Sequence, residues 1–341
     1  MGERGDGVRR IATEEAFSIP EVVQALNAVS KSGQRSLDMR LIRDLYGDQC
    51  ARPQTLRGLL DWDERLRVMD EHGVDMHVLS LTAPGVQMFD AATAVDLARL
   101  ANDVLAEQVA KHPTRFAGLA SFAPQDPKAA AREIERARTE LKLHGLIVNG
   151  HTHDEWYDQE KFFPIFEAAE AHDAAIYIHP RAPRADMAGG FDRFGMENAL
   201  WGYGVEVSTH ALRLIFSGLF DRFPRLKIVL GHMGEGIPFW LWRIDYMHRN
   251  SAIAQGVAPK LELTPGEYFK RNFRITTSGQ ENPLALQYSI NTLGAENVMW
   301  AIDYPYQPTA PAVKFMDDAP LDDATKALVY GENAARLFHI G

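Results

Sequence analysis

The chain has 341 residues, of which 46% are hydrophobic and 24% charged, a balance typical of a folded protein with a large buried core. Its formal net charge of −10 argues against nucleic acid or an anionic membrane as a partner, although a small anionic substrate remains compatible with it. No apolar run approaches the roughly 18 residues of a membrane helix, and the single cysteine, Cys50, cannot form an internal disulfide, so we expect a cytoplasmic protein.

Strand-like and helix-like segments alternate along the whole chain. Short apolar runs rich in β-branched residues predict strands at 10–17, 76–82, 116–122, 145–149, 174–179, 226–231, 273–277 and 298–302. Helical periodicity predicts helices at 92–111, 127–141, 161–172, 205–223 and 283–293. Eight strands separated by helices favour a closed parallel (β/α)8 TIM barrel of α/β class, and we expect residues 1–341 to form one such domain.

The first predicted strand is followed by an unusually long connection at 18–60. This segment contains Pro20, Pro53, several arginines and a tyrosine. A connection of this length above a barrel mouth is more often a lid or a substrate-shaping insertion than a separate domain. We therefore expect residues 18–60 to lie over the mouth of the barrel.

Acidic and histidine side chains occur where several predicted strands end. They follow the first, fifth, sixth and eighth strands and are Glu14 and Glu15, His179, His232, and Asp303. Because the carboxyl ends of all strands meet at one mouth of a (β/α)8 barrel, these residues are candidates for a single metal site. Strand alternation directs one of Glu14 and Glu15 inward, but the pattern does not distinguish between them.

Other histidines carry weaker signals. His151 and His153 form a His-x-His pattern with zinc-like spacing, but they follow the fourth strand in a polar stretch, and a surface loop is the favoured interpretation. His210 lies in the helical segment after the fifth strand and could reach the mouth, so its role is left open.

Six short motifs occur along the chain in a set order. They are Thr-Glu-Glu-Ala-Phe at 13–17, Leu-Thr-Ala-Pro-Gly-Val-Gln at 81–87, Tyr-Ile-His-Pro at 177–180, Leu-Gly-His-Met-Gly-Glu at 230–235, Trp-Arg-Ile-Asp at 242–245 and Asp-Tyr-Pro-Tyr at 303–306. Together they resemble the amidohydrolase-related decarboxylases, a family that includes the decarboxylases of 2-amino-3-carboxymuconate semialdehyde, γ-resorcylate and 5-carboxyvanillate. The resemblance covers nearly the whole chain.

The resemblance implies one divalent metal ion, manganese first and zinc second, bound by Glu14, His179 and Asp303. It also implies that His232 and Glu235 assist catalysis. Our own hypothesis is that Asp303 takes the proton of the substrate phenol and passes it to the ring carbon. Many relatives carry a second ligand on the first strand where this chain has Ala16. With Ala16 here, the metal has fewer protein ligands, and more of its coordination positions stay open for a chelating substrate.

The reaction implied by the resemblance is the loss of CO2 from an ortho-hydroxylated aromatic acid. The Glu-Glu-Ala-Phe form of the first motif favours 5-carboxyvanillate as substrate and vanillate as product, with γ-resorcylate or 2,3-dihydroxybenzoate as alternatives. A lactone or amide hydrolase on the same barrel is a second alternative, against which Ala16 counts. A barrel that only binds a metal or ligand is a third, but it would not need the whole set of acidic and histidine residues.

Arginines and tyrosines near the motifs are candidates to bind the substrate. Arg matches a carboxylate with two parallel hydrogen bonds, and Arg243 is favoured for this role, with Arg52 next. Either arginine could serve the pocket of a neighbouring subunit, and the resemblance implies a homodimer or homotetramer. Tyr203 and Tyr306 are expected to contact the aromatic ring or its substituents.

Overall fold

A computed structural model describes residues 7–191, 193–257 and 260–341, so residues 1–6 of the predicted domain lie outside the described residues. Eight parallel strands follow one another around one sheet in chain order. They are β1 (Ile11–Phe17), β2 (Met76–Leu81), β3 (Phe116–Ser121), β4 (Gly145–Asn149), β5 (Ile176–His179), β6 (Ile228–Leu230), β7 (Phe273–Thr276) and β8 (Val298–Met299). The predicted (β/α)8 barrel is therefore confirmed, with each strand found where the sequence indicates one.

Helices on the outside of the barrel follow most strands. They are Pro20–Lys31, Met39–Tyr46, Pro53–Leu60, Trp62–His72, Ala91–Lys111, Pro127–Thr139, Phe163–Ala171, Gly202–Phe216, Leu219–Arg222, Ile237–Asn250, Ala252–Val257, Pro265–Asn272, Pro283–Leu293, Thr309–Asp317, Asp323–Ala327 and Asn333–Leu337. The single helix predicted at 205–223 is wrong: it is two helices, separated at Gly218, whose φ of 77° lies in the left-handed region that favours glycine. None of the described helices is long and apolar enough to cross a bilayer.

The barrel interior is filled by apolar side chains at the end opposite the mouth. The strand residues Ile11, Met76, Leu119 and Val229 belong to one buried cluster. Phe338, after the last helix, belongs to the same cluster. This apolar filling leaves polar side chains of the strands to gather at the carboxyl ends, where the candidate site lies.

The connection after β1 is helical and contacts the mouth. It contains Pro20–Lys31, Met39–Tyr46 and Pro53–Leu60. The backbone of Gly58 lies so close to Pro305 that a Cβ at this position would approach the proline Cβ to 2.7 Å. The segment is thus joined to the loop that follows β8.

Candidate active site

Glu14 lies near the carboxyl end of β1, and its two carboxylate oxygens have different surroundings. Oε2 accepts hydrogen bonds from the hydroxyls of Tyr177, Thr276 (3.0 Å) and Ser278. Oε1 is buried and has no hydrogen-bond partner among the described residues. A buried carboxylate oxygen without a partner is costly unless a cation meets it, so Oε1 is a candidate metal ligand.

Two imidazoles point a nitrogen at this free oxygen. His179 Nε2 lies 3.5 Å from Glu14 Oε1, and His232 Nε2 lies 3.7 Å from it. On His179 the other nitrogen, Nδ1, donates to the carbonyl of Pro180 at 2.7 Å, which leaves the Nε2 lone pair of the neutral ring free to bind a metal. His232 Nδ1 contacts Glu235 Oε1 at 2.5 Å instead.

Asp303 completes a group of three possible ligands. One ligand atom from each of Glu14, His179 and Asp303 lies within 4.8 Å of the other two. Two carboxylate oxygens and one imidazole nitrogen suit manganese or zinc. The structure therefore brings together the three residues that the sequence resemblance implies, and their donor atoms fit a divalent ion.

The charges at this site also favour a cation. Burial acts to raise the pKa of Glu14, but the charges of His232 and His179 and the hydroxyl hydrogen bonds lower it below its usual value. Burial and the nearby Glu14 carboxylate raise the pKa of Asp303 well above its usual range. The buried carboxyl group of Glu14 and the half-buried one of Asp303 repel each other when both are ionised, and a cation between them removes that repulsion.

His232 and Glu235 lie on a left-handed turn directly after β6. The φ angles of His232, Met233, Gly234 and Glu235 are 51°, 56°, 71° and 54°. Left-handed backbone costs about 1–2 kcal/mol for each residue other than glycine, so this turn is held by its surroundings. One such contact is the His232 amide, which donates to Ser278 Oγ at 3.2 Å.

The turn sets the protonation of His232. Burial alone would lower the pKa of its imidazole, but the carboxylates of Glu235 and Glu14 raise it to about 10. Gly231 permits the turn to approach Glu14, because a Cβ there would come within 2.7 Å of Glu14 Oε2. The imidazole is thereby held between two carboxylates and carries a positive charge near neutral pH.

A cavity of about 670 Å³ opens above these residues. Its wall is polar at the base, where Asp303 and His232 lie, and largely apolar further out, where Trp201 and Trp240 lie. A polar base under an apolar wall suits a small aromatic acid. Tyr203, which the sequence analysis expects to contact the substrate, also lines this cavity.

The other predicted substrate-binding residues have different positions. Tyr306 is half-buried, and its hydroxyl lies 2.6 Å from Thr82 Oγ1. Burial raises the pKa of Tyr306 to about 12, although the charge of Arg52 acts to lower it, so Arg52 lies near this tyrosine. Arg243 is exposed on Ile237–Asn250, outside the cavity lining formed by the described residues of this chain. One chain therefore brings Arg52, but not Arg243, towards the site.

Comparison with known proteins agrees with this geometry. A family model described as amidohydrolase matches residues 55–340. The chain belongs to the amidohydrolase family. Among its solved relatives is the 5-carboxyvanillate decarboxylase LigW of Sphingomonas paucimobilis, with 62% sequence identity and a TM-score of 0.96. The match covers 98% of this chain and 100% of that one.

Two further relatives bear on the metal and the reaction. A 5-carboxyvanillate decarboxylase of Novosphingobium aromaticivorans, solved with manganese and 4-hydroxy-3-methoxy-5-nitrobenzoic acid, is 39% identical with a TM-score of 0.94, over 98% of this chain and 96% of that one. The γ-resorcylate decarboxylase of a Polaromonas species is 41% identical over 84% of this chain and 90% of its own length. The predicted family is confirmed. These relatives of the chain are carboxy-lyases, and one of them was solved with bound manganese.

A second polar cluster lies beside the mouth of the barrel, and the sequence analysis did not predict it. Arg181 forms a buried ion pair with Asp38 of the insertion, and its Nη1 donates to the carbonyl of His151 at 3.0 Å. The surface-loop interpretation is therefore wrong for His151, whose ring is buried and contacts the Ala182 carbonyl at 3.2 Å. His153 is exposed, as that interpretation predicted.

His210, left open by the sequence, belongs to the same cluster. Its Nε2 accepts the backbone N–H of Tyr157 at 3.2 Å, and its ring packs against that tyrosine. Burial lowers the pKa of His210 to about 3, so the ring is neutral. It stabilises the loop after β4 and does not belong to the candidate metal group.

The sequence analysis also did not identify the side-chain hydroxyls that donate hydrogen bonds to Glu14. Tyr177 lies two positions before His179 on β5, so strand alternation directs both side chains to the same face. That spacing could have identified Tyr177 as a neighbour of the metal ligand. Ser278 lies beyond β7, in a segment without periodicity, and gave no comparable signal.

Proposed function

We propose that this protein is a metal-dependent decarboxylase that converts 5-carboxyvanillate to vanillate and CO2. The observation that carries the proposal is the free buried oxygen of Glu14, which faces His179 and is grouped with Asp303, a residue that lines an aromatic-walled cavity. The close similarity to 5-carboxyvanillate decarboxylases supports this choice of substrate. The Polaromonas relative supports γ-resorcylate as the second candidate.

The roles of the site residues follow from their positions. Glu14, His179 and Asp303 would hold a divalent ion, which would supply positive charge that favours the ionised form of an ortho phenol. Asp303 accepts the phenol proton and delivers it to the ring carbon that bears the carboxylate. The bond from that carbon to the carboxylate then breaks, CO2 leaves, and the bonding electron pair restores the aromatic ring. His232, held by Glu235, steadies the charge of Asp303 during this transfer.

The substrate's other groups require cations and hydroxyls nearer the cavity opening. We propose that Arg52 and Tyr306 bind a carboxylate of the substrate and that Tyr203 packs on its ring. Arg52 is exposed and lies close enough for its charge to act on both tyrosines, which supports this grouping. The insertion at 18–60 would then shape the cavity by supplying Arg52.

We propose that Arg243 acts in the cavity of a neighbouring subunit of a homodimer or homotetramer. Its helix, Ile237–Asn250, exposes the large apolar side chains Phe239, Trp242 and Tyr246, and an exposed apolar surface of this kind is typical of a subunit interface. The mass in solution, and a fall in activity on Arg243→Ala without loss of metal, would test this role.

We also propose a cytoplasmic location, which suits a chain whose one cysteine, Cys50, is a free thiol. Activity in the soluble fraction of lysed cells, with none released by selective disruption of the outer envelope, would support it.

The experiment that tests the function is an ultraviolet assay of the Mn²⁺-loaded protein. It compares 5-carboxyvanillate with 2,6- and 2,3-dihydroxybenzoate and measures CO2 release from each. Turnover of 5-carboxyvanillate at least tenfold above the others supports the proposal, and preference for 2,6-dihydroxybenzoate selects the second candidate. Absence of CO2 from all three with metal bound would refute it. Asp303→Asn is expected to abolish turnover and serves as the control for background decarboxylation.

A further inference from the structure

The first and last strands meet at a seam that is only partly paired through the backbone. The Thr13 amide donates to the Trp300 carbonyl at 3.1 Å. Further along, the Ala16 amide donates to the Tyr304 carbonyl at 2.8 Å. Strand β1 also changes register against β2 between Ala12 and Glu15. At the seam, the amide of Ile302, which lies between Trp300 and Tyr304, is bound by a side chain instead of a carbonyl.

That side chain is Glu15, the second acid of the Glu-Glu pair. Its Oε1 accepts the Ile302 amide at 2.9 Å, and its Oε2 accepts the Tyr304 amide at 3.0 Å. Glu15 is fully buried, so it cannot contact a substrate in the cavity. The buried Arg65 donates to the carbonyl of Ala16 next to it and supplies a compensating positive charge. Glu15 thus completes the seam with both oxygens.

The two amides that Glu15 binds flank the metal ligand Asp303. Asp303 has a φ of 74°, in the left-handed region that is uncommon for residues other than glycine, although asparagine, aspartate and histidine adopt it more often than the rest. Its own carbonyl accepts the Gln307 amide at 2.9 Å. The peptide group between Asp303 and Tyr304 is therefore held at both its N–H and its carbonyl, and the peptide group that precedes Ile302 is held at its N–H. A strained conformation of this kind persists only when its surroundings hold it.

We propose that Glu15 is a positioning residue that holds Asp303 in its left-handed conformation and thereby aims the Asp303 carboxylate at the metal. The inference rests on the proposed role of Asp303 as a ligand. It explains why two consecutive acids are needed on β1: Glu14 offers an oxygen to the metal, and Glu15 fixes the ligand that arrives from β8. Supporting groups of this kind typically change metal affinity by about 10–100-fold.

The chemistry of the two hydrogen bonds makes Glu15→Gln a sharp test. A glutamine has one acceptor oxygen, so its NH2 group would face one of the two backbone N–H donors, and one bond would be lost. Glu15→Asp keeps two acceptor oxygens but is one methylene shorter and cannot reach both amides. We expect both variants to fold with a loosened loop at 302–304.

The experiment measures Mn²⁺ affinity by titration of the metal-free protein, followed by the signal of free Mn²⁺ in electron paramagnetic resonance. We expect Glu15→Gln to raise the Kd for Mn²⁺ at least about tenfold, with a smaller rise for Glu15→Asp. Thr277→Val is the matched control. Thr277 Oγ1 is buried and bonds both the N–H (3.1 Å) and the carbonyl (3.2 Å) of Ala301, on the segment that leads to Asp303. Its hydroxyl bonds Ala301, whereas the hydroxyls of Thr276 and Ser278 on either side of it donate to Glu14.

The outcomes separate this inference from the proposed function. Wild-type affinity in Asp303→Asn would overturn the ligand assignment and the positioning role with it. Reduced affinity in Asp303→Asn with wild-type affinity in Glu15→Gln would overturn the positioning role alone, as would an equal loss in Thr277→Val. If Glu15→Gln does not fold, hydrogen exchange of the wild-type amides decides. Slow exchange at Ile302 and Tyr304, comparable to Thr13, supports the role, and rapid exchange at both overturns it.

Discussion

At the scale of single residues, the two carboxylate oxygens of Glu14 have different roles. Oε2 takes three hydroxyl donors, from Tyr177, Thr276 and Ser278, so the group is oriented before any ligand arrives. Oε1 stays free at 3.5 Å from His179. A ligand that is fixed in advance loses little conformational freedom when the metal binds, which strengthens binding.

Removal of one hydroxyl from this set should therefore weaken metal binding. We expect Tyr177→Phe to raise the Kd for Mn²⁺ about tenfold, because Glu14 then keeps two of its three donors. Tyr157→Phe is the matched control: Tyr157 is equally buried, and its hydroxyl lies 2.7 Å from Thr152, away from the metal group. Isothermal titration of both variants measures the effect, and equal affinities would contradict it.

Sequence patterns brought out the candidate ligands more clearly than the residues that surround them. Glu14 and Glu15 could not be told apart by alternation, because both are buried: one faces the barrel interior and the other faces the seam. His151 was misjudged because the polar stretch around it is covered by the insertion, a long-range contact that local sequence does not encode. Residues whose neighbours are distant in sequence are the ones that local patterns miss.

At the scale of elements, a buried ion pair joins the insertion to the barrel. Asp38 Oδ2 accepts from Arg181 Nε at 3.1 Å, and Asp38 Oδ1 accepts the amide of Ala182 at 3.1 Å. Arg181 follows the candidate ligand His179 on the same loop. The insertion and the metal site therefore share one rigid connection.

Removal of the negative charge from this pair should be costly. We expect Asp38→Asn to lower the free energy of unfolding by about 3–5 kcal/mol, because it leaves a buried guanidinium without its counter-charge. Glu71→Gln, which breaks the exposed pair with Arg67 at 2.8 Å, should cost less than about 1 kcal/mol. Urea unfolding measures both, and similar values for the two variants would contradict the prediction.

Glu206, on the helix Gly202–Phe216, should make stability depend on pH. Burial raises its pKa to about 8 from a value of 4.5, although Arg181 acts to lower it. The folded protein then holds a proton that the unfolded chain has lost, so this contribution is fully present below the unfolded pKa and is lost as pH rises through 8.

The change Glu206→Gln should remove this dependence. Between pH 6.5 and 8, roughly, we expect the unfolding free energy of the wild type to fall by up to about 1.4 kcal/mol per pH unit more steeply than that of the variant. Urea unfolding at several pH values measures both slopes. Parallel slopes would show that Glu206 is ionised in the folded protein.

At the scale of the whole molecule, the candidate metal group brings together the first and the last strand of the barrel. Glu14 lies on the first strand, and Asp303 follows the last. The barrel itself was predictable, because eight apolar runs with the correct spacing identify eight strands. The end of β8 was not: 298–302 reads as one strand, but only Val298–Met299 pairs regularly with β7. The amides that follow bind groups outside the ladder: Trp300 binds the Val329 carbonyl, Ala301 the Thr277 hydroxyl and Ile302 the Glu15 carboxylate.

A metal that bridges these strands should stabilise the fold. At a free Mn²⁺ concentration 100 times the Kd, binding to the folded state alone adds about 2.7 kcal/mol. We expect Tm to rise by several degrees on addition of Mn²⁺ to chelator-treated protein. Asp303→Asn should show less than half of this shift, and the same Tm with Mn²⁺ and with chelator in the wild type would contradict the prediction.

The pairing between β1 and the segment after β8 also determines how late in synthesis of the chain the metal site can form. Glu15 and the Tyr304 amide that it binds are separated by 289 residues. At roughly 5–20 residues per second, a ribosome needs on the order of 15 to 60 s to make the second partner after the first. Throughout that interval the acidic strand β1 lacks the partner that closes the barrel. The ability to bind manganese therefore belongs to the nearly finished chain, and a nascent chain that stops before Asp303 has no complete site to fill.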